Sequence, residues 1–258
     1  YFLIFTLELG ISGAAIASSL AEMGSLIMLC LYTKAKIDKE KYGLKPVYDG
    51  QLLIKVLNLS VWSMLHAFIS VAPWFLFFVA IEHLGKTELA ISNITRSVSA
   101  IFFVIANSFA VTTSSLVSNA IGARARNELF PICHKVLKLG YAVGIPFVVV
   151  ALLCNRWIVS FYTDNELLIE LAFAPFVVML LNYTFALPGY VYLNAVGGTG
   201  KTKITFLFQV TTTCVYLVYL YWLSFCIKAS LSLYLTAEYL FVILLALQSI
   251  IHLKSKHY

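Results

Sequence analysis

Apolar residues fall in seven long blocks separated by short polar connections, at about 11–33, 52–82, 89–120, 136–154, 168–195, 204–226 and 231–253. Each block holds roughly the 20 apolar residues that a helix needs to cross a bilayer at 1.5 Å of rise per residue. Residues 1–7 have the same character and read as the tail of an earlier span. The runs are long and do not alternate, and a backbone in lipid must satisfy its own hydrogen bonds, so the pattern predicts helices rather than strands. The 52–82 and 89–120 blocks exceed one bilayer thickness, which predicts tilt or protrusion. Pro73, Pro146, Pro175 and Pro188 lie inside blocks and predict bends there.

The connections give the chain a direction. One alternate set carries Lys34, Lys36, Lys39, Lys41, Lys45 and Lys55, then Arg124, Arg126, Lys135 and Lys138, then Lys201 and Lys203, then Lys254 and Lys256. The other set carries only Lys86, Arg156 and Lys228, and Arg96 falls inside a block. Fourteen against three, consistent at every crossing, places the first set and the C-terminus on the cytoplasmic side. The expected location is therefore the plasma membrane, a bacterial inner membrane, crossed many times. Between the first and second blocks, residues 34–50 are charged and punctuated by Gly43 and Pro46, which marks a basic cytoplasmic linker. Six spans follow it, as a C-terminal lobe over 51–258, and residues 1–33 read as the end of an N-terminal lobe whose remainder is missing from this chain. Ala21-Glu22 and Ala237-Glu238 form a faint internal echo, each inside an apolar span that ends in a basic tail. Two-lobe transporters show such duplication.

Composition agrees: 61% of residues are hydrophobic, 12% are charged, and mean hydropathy is +0.89. That charge content is half of what soluble domains carry. The net charge of +6 is topological, because its basic residues sit in membrane-side connections, and it does not point to nucleic acid. The five cysteines are scattered without a CxxC pair or histidines at ligand spacing, so no disulfide framework, metal site or cofactor is expected. Gly197-Gly198-Thr199-Gly200-Lys201-Thr202 imitates a phosphate-binding loop, but Ala195 stands where that pattern requires its first glycine. The run also lies between two spans instead of following a strand, and reads as a tight turn.

Chemistry is left to polar groups buried where they are unfavourable. A charge at mid-bilayer is penalised by roughly 3 kcal/mol on insertion scales, so it faces a partner or a cavity. Glu22, Arg96 and Glu238 are such charges. Helical steps from Arg96 gather Ser92, Ser99, Asn107, Ser114 and Ser118 on one face, interrupted by Phe103 and Ala110, with Asn93 beside it. Neighbouring blocks add Asn58, His66, Ser70, Asn182, Tyr183 and Gln209. Two interpretations stand: the wall of a wet central cavity, or interhelical hydrogen bonding, which is the commoner use of any single serine. Glu22 and Glu238 are the candidate coupling-ion carboxylates, and Glu22 is also a candidate counter-ion for Arg96. Asn58, His66, Ser70, Asn93, Arg96, Ser99, Asn107, Asn182 and Tyr183 are the candidate cavity residues. Aromatic residues make up 15% of the chain, some as interfacial belts and some available to organic cations through their ring faces.

Three stretches resemble the multidrug and toxic compound extrusion family: LGISGAAIASSLAE at 9–22, SNAIGARARNE at 118–128 and the turn GGTGKTK at 197–203. Their order and spacing are similar across the whole chain, which would cover the sixth to twelfth helices, and look most like the bacterial DNA-damage-inducible branch. The resemblance implies an all-α polytopic membrane protein of about seven transmembrane helices, the back part of a twelve-helix, two-lobe transporter. It also implies export of cationic amphipathic compounds in exchange for protons or sodium ions. Two family carboxylates are replaced, one by Ser70 and one by Ala186, which weakens a sodium site in this lobe. The rival readings are a lipid-linked oligosaccharide flippase, a membrane-embedded enzyme and a seven-helix receptor. The first needs several cavity cations where only Arg96 qualifies, and the second needs clustered catalytic residues that the chain lacks. The third suits the odd number of spans but not the cytoplasmic first connection. An enzymatic role is not expected.

Overall fold

The computed structural model describes residues 2–6, 9–36, 49–227 and 229–255, and every regular element among them is helical. Residues 37–48 of the expected linker lie outside the described residues, as do Lys228 and Lys256. Seven helical segments are long and apolar enough to cross a membrane: Gly10–Lys36, Gly50–Leu84, Lys86–Gly122, Leu129–Leu153, Glu166–Gly198, Thr202–Phe225 and Leu231–Ser255.

The chain divides into two units, Tyr1–Leu53 and Ile54–Tyr258. In the first, helix α1 (Gly10–Lys36) is exposed along almost its whole length, with Gly13 its one buried residue. A Cβ at Gly13 would stand 2.4 Å from the Leu3 carbonyl oxygen, so the π-helical turn Phe2–Thr6 closes onto α1 only because that side chain is absent. Helix α2 (Gly50–Ile81) starts in this unit, where the Asp49 carboxylate caps it by accepting from the Gln51 and Leu52 amides at 2.9 and 3.1 Å.

The second unit holds the remainder of α2 and helices α3 (Lys86–Gly122), α4 (Leu129–Leu153), α5 (Asn155–Ser160), α6 (Glu166–Leu171), α7 (Phe173–Leu181), α8 (Tyr183–Gly198), α9 (Thr202–Trp222) and α10 (Leu231–Ser255). At 32 and 37 residues, α2 and α3 run for about 48 and 55 Å, well beyond a hydrocarbon core of about 30 Å, as their apolar blocks predict. Helix α8 is the central element and packs against α3, α4, α9 and α10. Small residues permit this: a Cβ on Gly198 would meet the Ser114 carbonyl oxygen of α3 at 2.6 Å, and one on Gly189 would meet the Val242 carbonyl oxygen of α10 at 2.7 Å. Such close backbone approach is how helices associate where lipid removes the hydrophobic drive between them. Ser118 adds a hydrogen bond across the same crossing, donating to the Gly198 carbonyl at 2.8 Å.

Two differences from the sequence pattern have physical causes. The fourth span begins at Leu129, so Lys135 and Lys138 sit on α4 and not in a connection. Pro131 allows this because proline is tolerated in a first turn, where its missing N–H has no helical acceptor. In the fifth span the helical hydrogen bonding is interrupted at Ala172 and Asn182, which keep right-handed helical φ and ψ, whereas α2, α4 and α8 continue through Pro73, Pro146 and Pro188. Pro175 lacks the N–H that would bond Leu171, which accounts for the first break. Pro188 deprives the Thr184 carbonyl in the same way, and there the Tyr141 hydroxyl donates to it at 2.7 Å and replaces the lost bond. Tyr239 likewise donates to the Val178 carbonyl beside the second break.

The 118–128 stretch closes α3 with a Schellman turn: Ala125 N–H donates to Ala120 at 2.8 Å and Arg124 N–H to Ile121 at 3.0 Å. Arg124 takes the left-handed position, φ 59°, which glycine occupies without strain. Arg124→Gly should raise the thermal unfolding midpoint in detergent, by a stabilisation of about 0.5–1 kcal/mol. The phosphate-loop imitation is a helix–turn–helix link, with α8 ending at Gly198, Gly200 at φ 82° and α9 starting at Thr202.

Candidate functional site

Two of the three charges inside apolar blocks meet. Arg96 on α3 and Glu238 on α10 form an ion pair through Nη2 and Oε1, with side-chain exposures of 6% and 16%. The Tyr216 hydroxyl of α9 donates to the same carboxylate oxygen at 3.2 Å. The guanidinium carbon lies 4.1 Å from the centroid of the Phe77 ring and 5.4 Å from that of Phe78, both on α2. A carboxylate, a phenol and two ring faces thus surround one cation, a favourable arrangement where water is scarce. Arg96's counter-ion is Glu238, which corrects the alternative that Glu22 fills that role.

This cluster stands in the wall of a cavity of about 340 Å³, a volume in the range that holds small organic molecules. Of the candidate cavity residues, Ser70, Arg96, Ser99, Asn182 and Tyr183 line it, together with Glu238. Asn182 stands between α7 and α8. It is 8% exposed, and its Oδ1 is buried with no hydrogen-bond partner. Ser99 and Ser70 donate back to their own helices, to the Arg96 carbonyl at 2.9 Å and the Ala67 carbonyl at 2.7 Å. Tyr183 turns its hydroxyl into α4, donating to Gly140 at 2.8 Å, so it braces the wall as well as lining it.

The other candidates lie elsewhere. Asn58, Asn93 and Asn107 are exposed and off the cavity wall, Asn107 one turn beyond the lining residue Phe103. His66 is half-buried with an unpartnered Nε2, also outside the lining. Glu22 is exposed on α1. The α3 stripe therefore divides: Arg96 and Ser99 face the cavity, whereas Ser114 and Ser118 belong to the α3–α8 crossing.

Sequence reasoning missed Tyr216, Phe77 and the aromatic lining residues Trp74, Phe103 and Tyr190, the last two edge-to-face at 5.5 Å. Tyr216 did leave a signal, since Gln209, Thr212, Thr213 and Tyr216 recur at helical steps along one face of α9, and all four are buried. Nothing in the pattern sets Phe77 apart from its neighbours. Among the described residues, a larger groove of about 770 Å³ between α2 and α9 is lined by no Asp, Glu, Lys or Arg side chain, whereas the smaller one carries Arg96 and Glu238.

The model of the MatE family matches residues 63–223, and these span the break, the ion pair's arginine and the aromatic lining from Ser70 to Tyr190. The chain belongs to the MatE family. It is a multi-pass membrane protein of that family, all-helical among its described residues. Among curated proteins, it is 23% identical over 175 residues to multidrug and toxin extrusion protein 1 of Oryctolagus cuniculus, covering 66% of this chain and 30% of that protein. A solved MATE structure in the straight conformation matches 99% of this chain and 60% of its own, at TM-score 0.79 and 15% identity. An inward-facing multidrug resistance MATE transporter of the MOP superfamily matches 100% and 62%, at TM-score 0.67 and 16% identity. The chain thus spans about a third of the length of its curated relative and three-fifths of these solved chains. In this MatE chain the cavity carboxylate is Glu238 on the last helix, while Ser70 and Ala186 also line the wall.

Proposed function

We propose that this chain supplies one lobe of a secondary active efflux transporter, which exports cationic amphipathic compounds in exchange for protons or sodium ions by alternating access. Residues 51–258 are that lobe, 34–50 a basic cytoplasmic tether, and 1–33 the end of the partner lobe, with the C-terminus in the cytoplasm of a bacterial cell. One observation carries this reading: a cavity of about 340 Å³ whose wall presents a carboxylate among aromatic rings. Such a wall suits an apolar cation, because rings attract it face-on and the carboxylate supplies charge without demanding a fixed geometry. The relative from Oryctolagus cuniculus, a multidrug and toxin extrusion protein by name, supports the same class of cargo. An anionic pyrophosphate cargo suits the wall poorly, since Arg96 is the one Lys or Arg among the lining residues.

Alternating access requires a coupling ion that favours one state over the other. An ion moving inward gains roughly 2.3 kcal/mol per charge per 100 mV. Glu238 is committed to Arg96, so Glu22 is the freer carboxylate for a proton. Cells expressing the full-length protein should accumulate several-fold less ethidium than vector controls, and Glu22→Gln should abolish the dependence of efflux on the pH gradient. Equal accumulation after verified insertion refutes export, and an unchanged pH dependence removes Glu22 from coupling.

A further inference from the structure

The cation site is already occupied by part of the protein. The Arg96 guanidinium is paired with the Glu238 carboxylate and lies over the Phe77 ring face, and the Tyr216 hydroxyl donates to the same carboxylate oxygen. These are the groups that an aromatic cation would use. We propose that Arg96 is a tethered occupant of the lobe's cation site: it fills the Glu238–Tyr216–Phe77 cage while the cavity is empty, and an incoming organic cation reaches Glu238 only by displacing it.

Three features favour displacement over a permanent structural pair. Both partners line the cavity, and Glu238 keeps 16% exposure where Arg96 keeps 6%. Arg96 Nε is buried without a hydrogen-bond partner, so the guanidinium is held through one end of its fork and not gripped bidentately. Asn182 also lines the cavity, and its Oδ1, buried without a partner, is an unused acceptor available to the displaced guanidinium once the wall rearranges. Charge accounting gives the consequence. With Arg96 in the cage the cluster is neutral; with a second cation present, two positive charges share one carboxylate. That repulsion lowers the affinity of the loaded state and speeds release. The tether thus trades tight binding for turnover, and it holds the site neutral during the return of the empty lobe.

This inference rests on the efflux reading, and its test separates the two. Tetraphenylphosphonium, an aromatic cation without hydrogen-bond donors, is titrated into the full-length protein in nanodiscs at pH 8, where free carboxylates are ionised. Arg96→Gln should bind it at least tenfold more tightly than the wild type and release it more slowly in vesicle efflux. Arg96→Lys, which keeps a tethered charge, should stay within about threefold of the wild type. Equal or weaker binding by a monodisperse Arg96→Gln protein overturns the tether and leaves the efflux reading standing. Absence of binding by every form overturns the cation reading, and the tether with it. If Arg96→Gln does not fold, the wild type still decides. In ¹⁵N-arginine-labelled protein, tetraphenylphosphonium should shift the Arg96 Nε–H resonance, assigned by its loss in Arg96→Lys. An unmoved resonance at saturation overturns displacement.

Discussion

Replacing Glu238 with glutamine is expected to destabilise the protein by about 3–5 kcal/mol, enough to lose most folded material in detergent, because it strands the Arg96 guanidinium at 6% exposure with no counter-charge. A guanidinium cannot escape by losing its proton. The converse change, Arg96→Gln, should be milder, since the carboxylate left behind is the more exposed partner, at 16% against 6%, and keeps the Tyr216 hydrogen bond. The asymmetry is the informative part: a pair that matters only through packing would make both single variants similar. Replacing both residues with leucine removes the stranded charge and should restore most of the unfolding midpoint while abolishing export. Thermal unfolding followed by size-exclusion fluorescence, with efflux measured on the same variants, separates the structural role of the pair from its functional one.

The second large effect is expected at the α3–α8 crossing. Gly198→Val places a Cβ 2.6 Å from the Ser114 carbonyl oxygen, a backbone atom that can retreat only if two long helices separate. Overpacking of this kind costs about 1–3 kcal/mol, and the Ser118 hydrogen bond to the Gly198 carbonyl is strained with it, so about 3 kcal/mol is expected. Gly197→Ala is the matched control. Its Cβ would lie 3.7 Å from the Thr205 methyl, ordinary van der Waals contact, and the change should be close to neutral. If both variants lowered the unfolding midpoint equally, general helix or turn effects would account for the result and the close crossing would not.

The spans were legible because lipid imposes one requirement on every turn of helix, and a run of about 20 apolar residues seldom arises in any other solvent. Boundaries were less legible where polar residues continue a helix beyond the apolar stretch, as Lys135 and Lys138 do on α4. Arg96 and Glu238 could each be picked out as charges in the wrong solvent, but not their pairing. They are 142 residues apart, and helical periodicity reports which face a residue shares, never which helix that face meets. The serine stripe of α3 makes the same point. Its period is real, yet α3 is long enough for one end to face the cavity at Ser99 and the other to bind α8 at Ser118. The interruption of helical bonding at Asn182 left no signal, since Pro188 six residues on lies within an unbroken helix.

The central claim is that the cavity between Arg96, Ser99, Asn182 and Tyr190 is a wet site where organic cations bind. Cysteine accessibility tests it most directly, with Ser99→Cys in a full-length, cysteine-free background treated with a membrane-impermeant methanethiosulfonate reagent. The account predicts rapid labelling in inside-out or right-side-out vesicles, slowed several-fold by saturating tetraphenylphosphonium. Thr113→Cys, at a position on α3 that is fully buried, should label slowly and show no protection. A Ser99→Cys protein that resists the reagent from both sides, or that labels at the same rate with and without the cation, would contradict it.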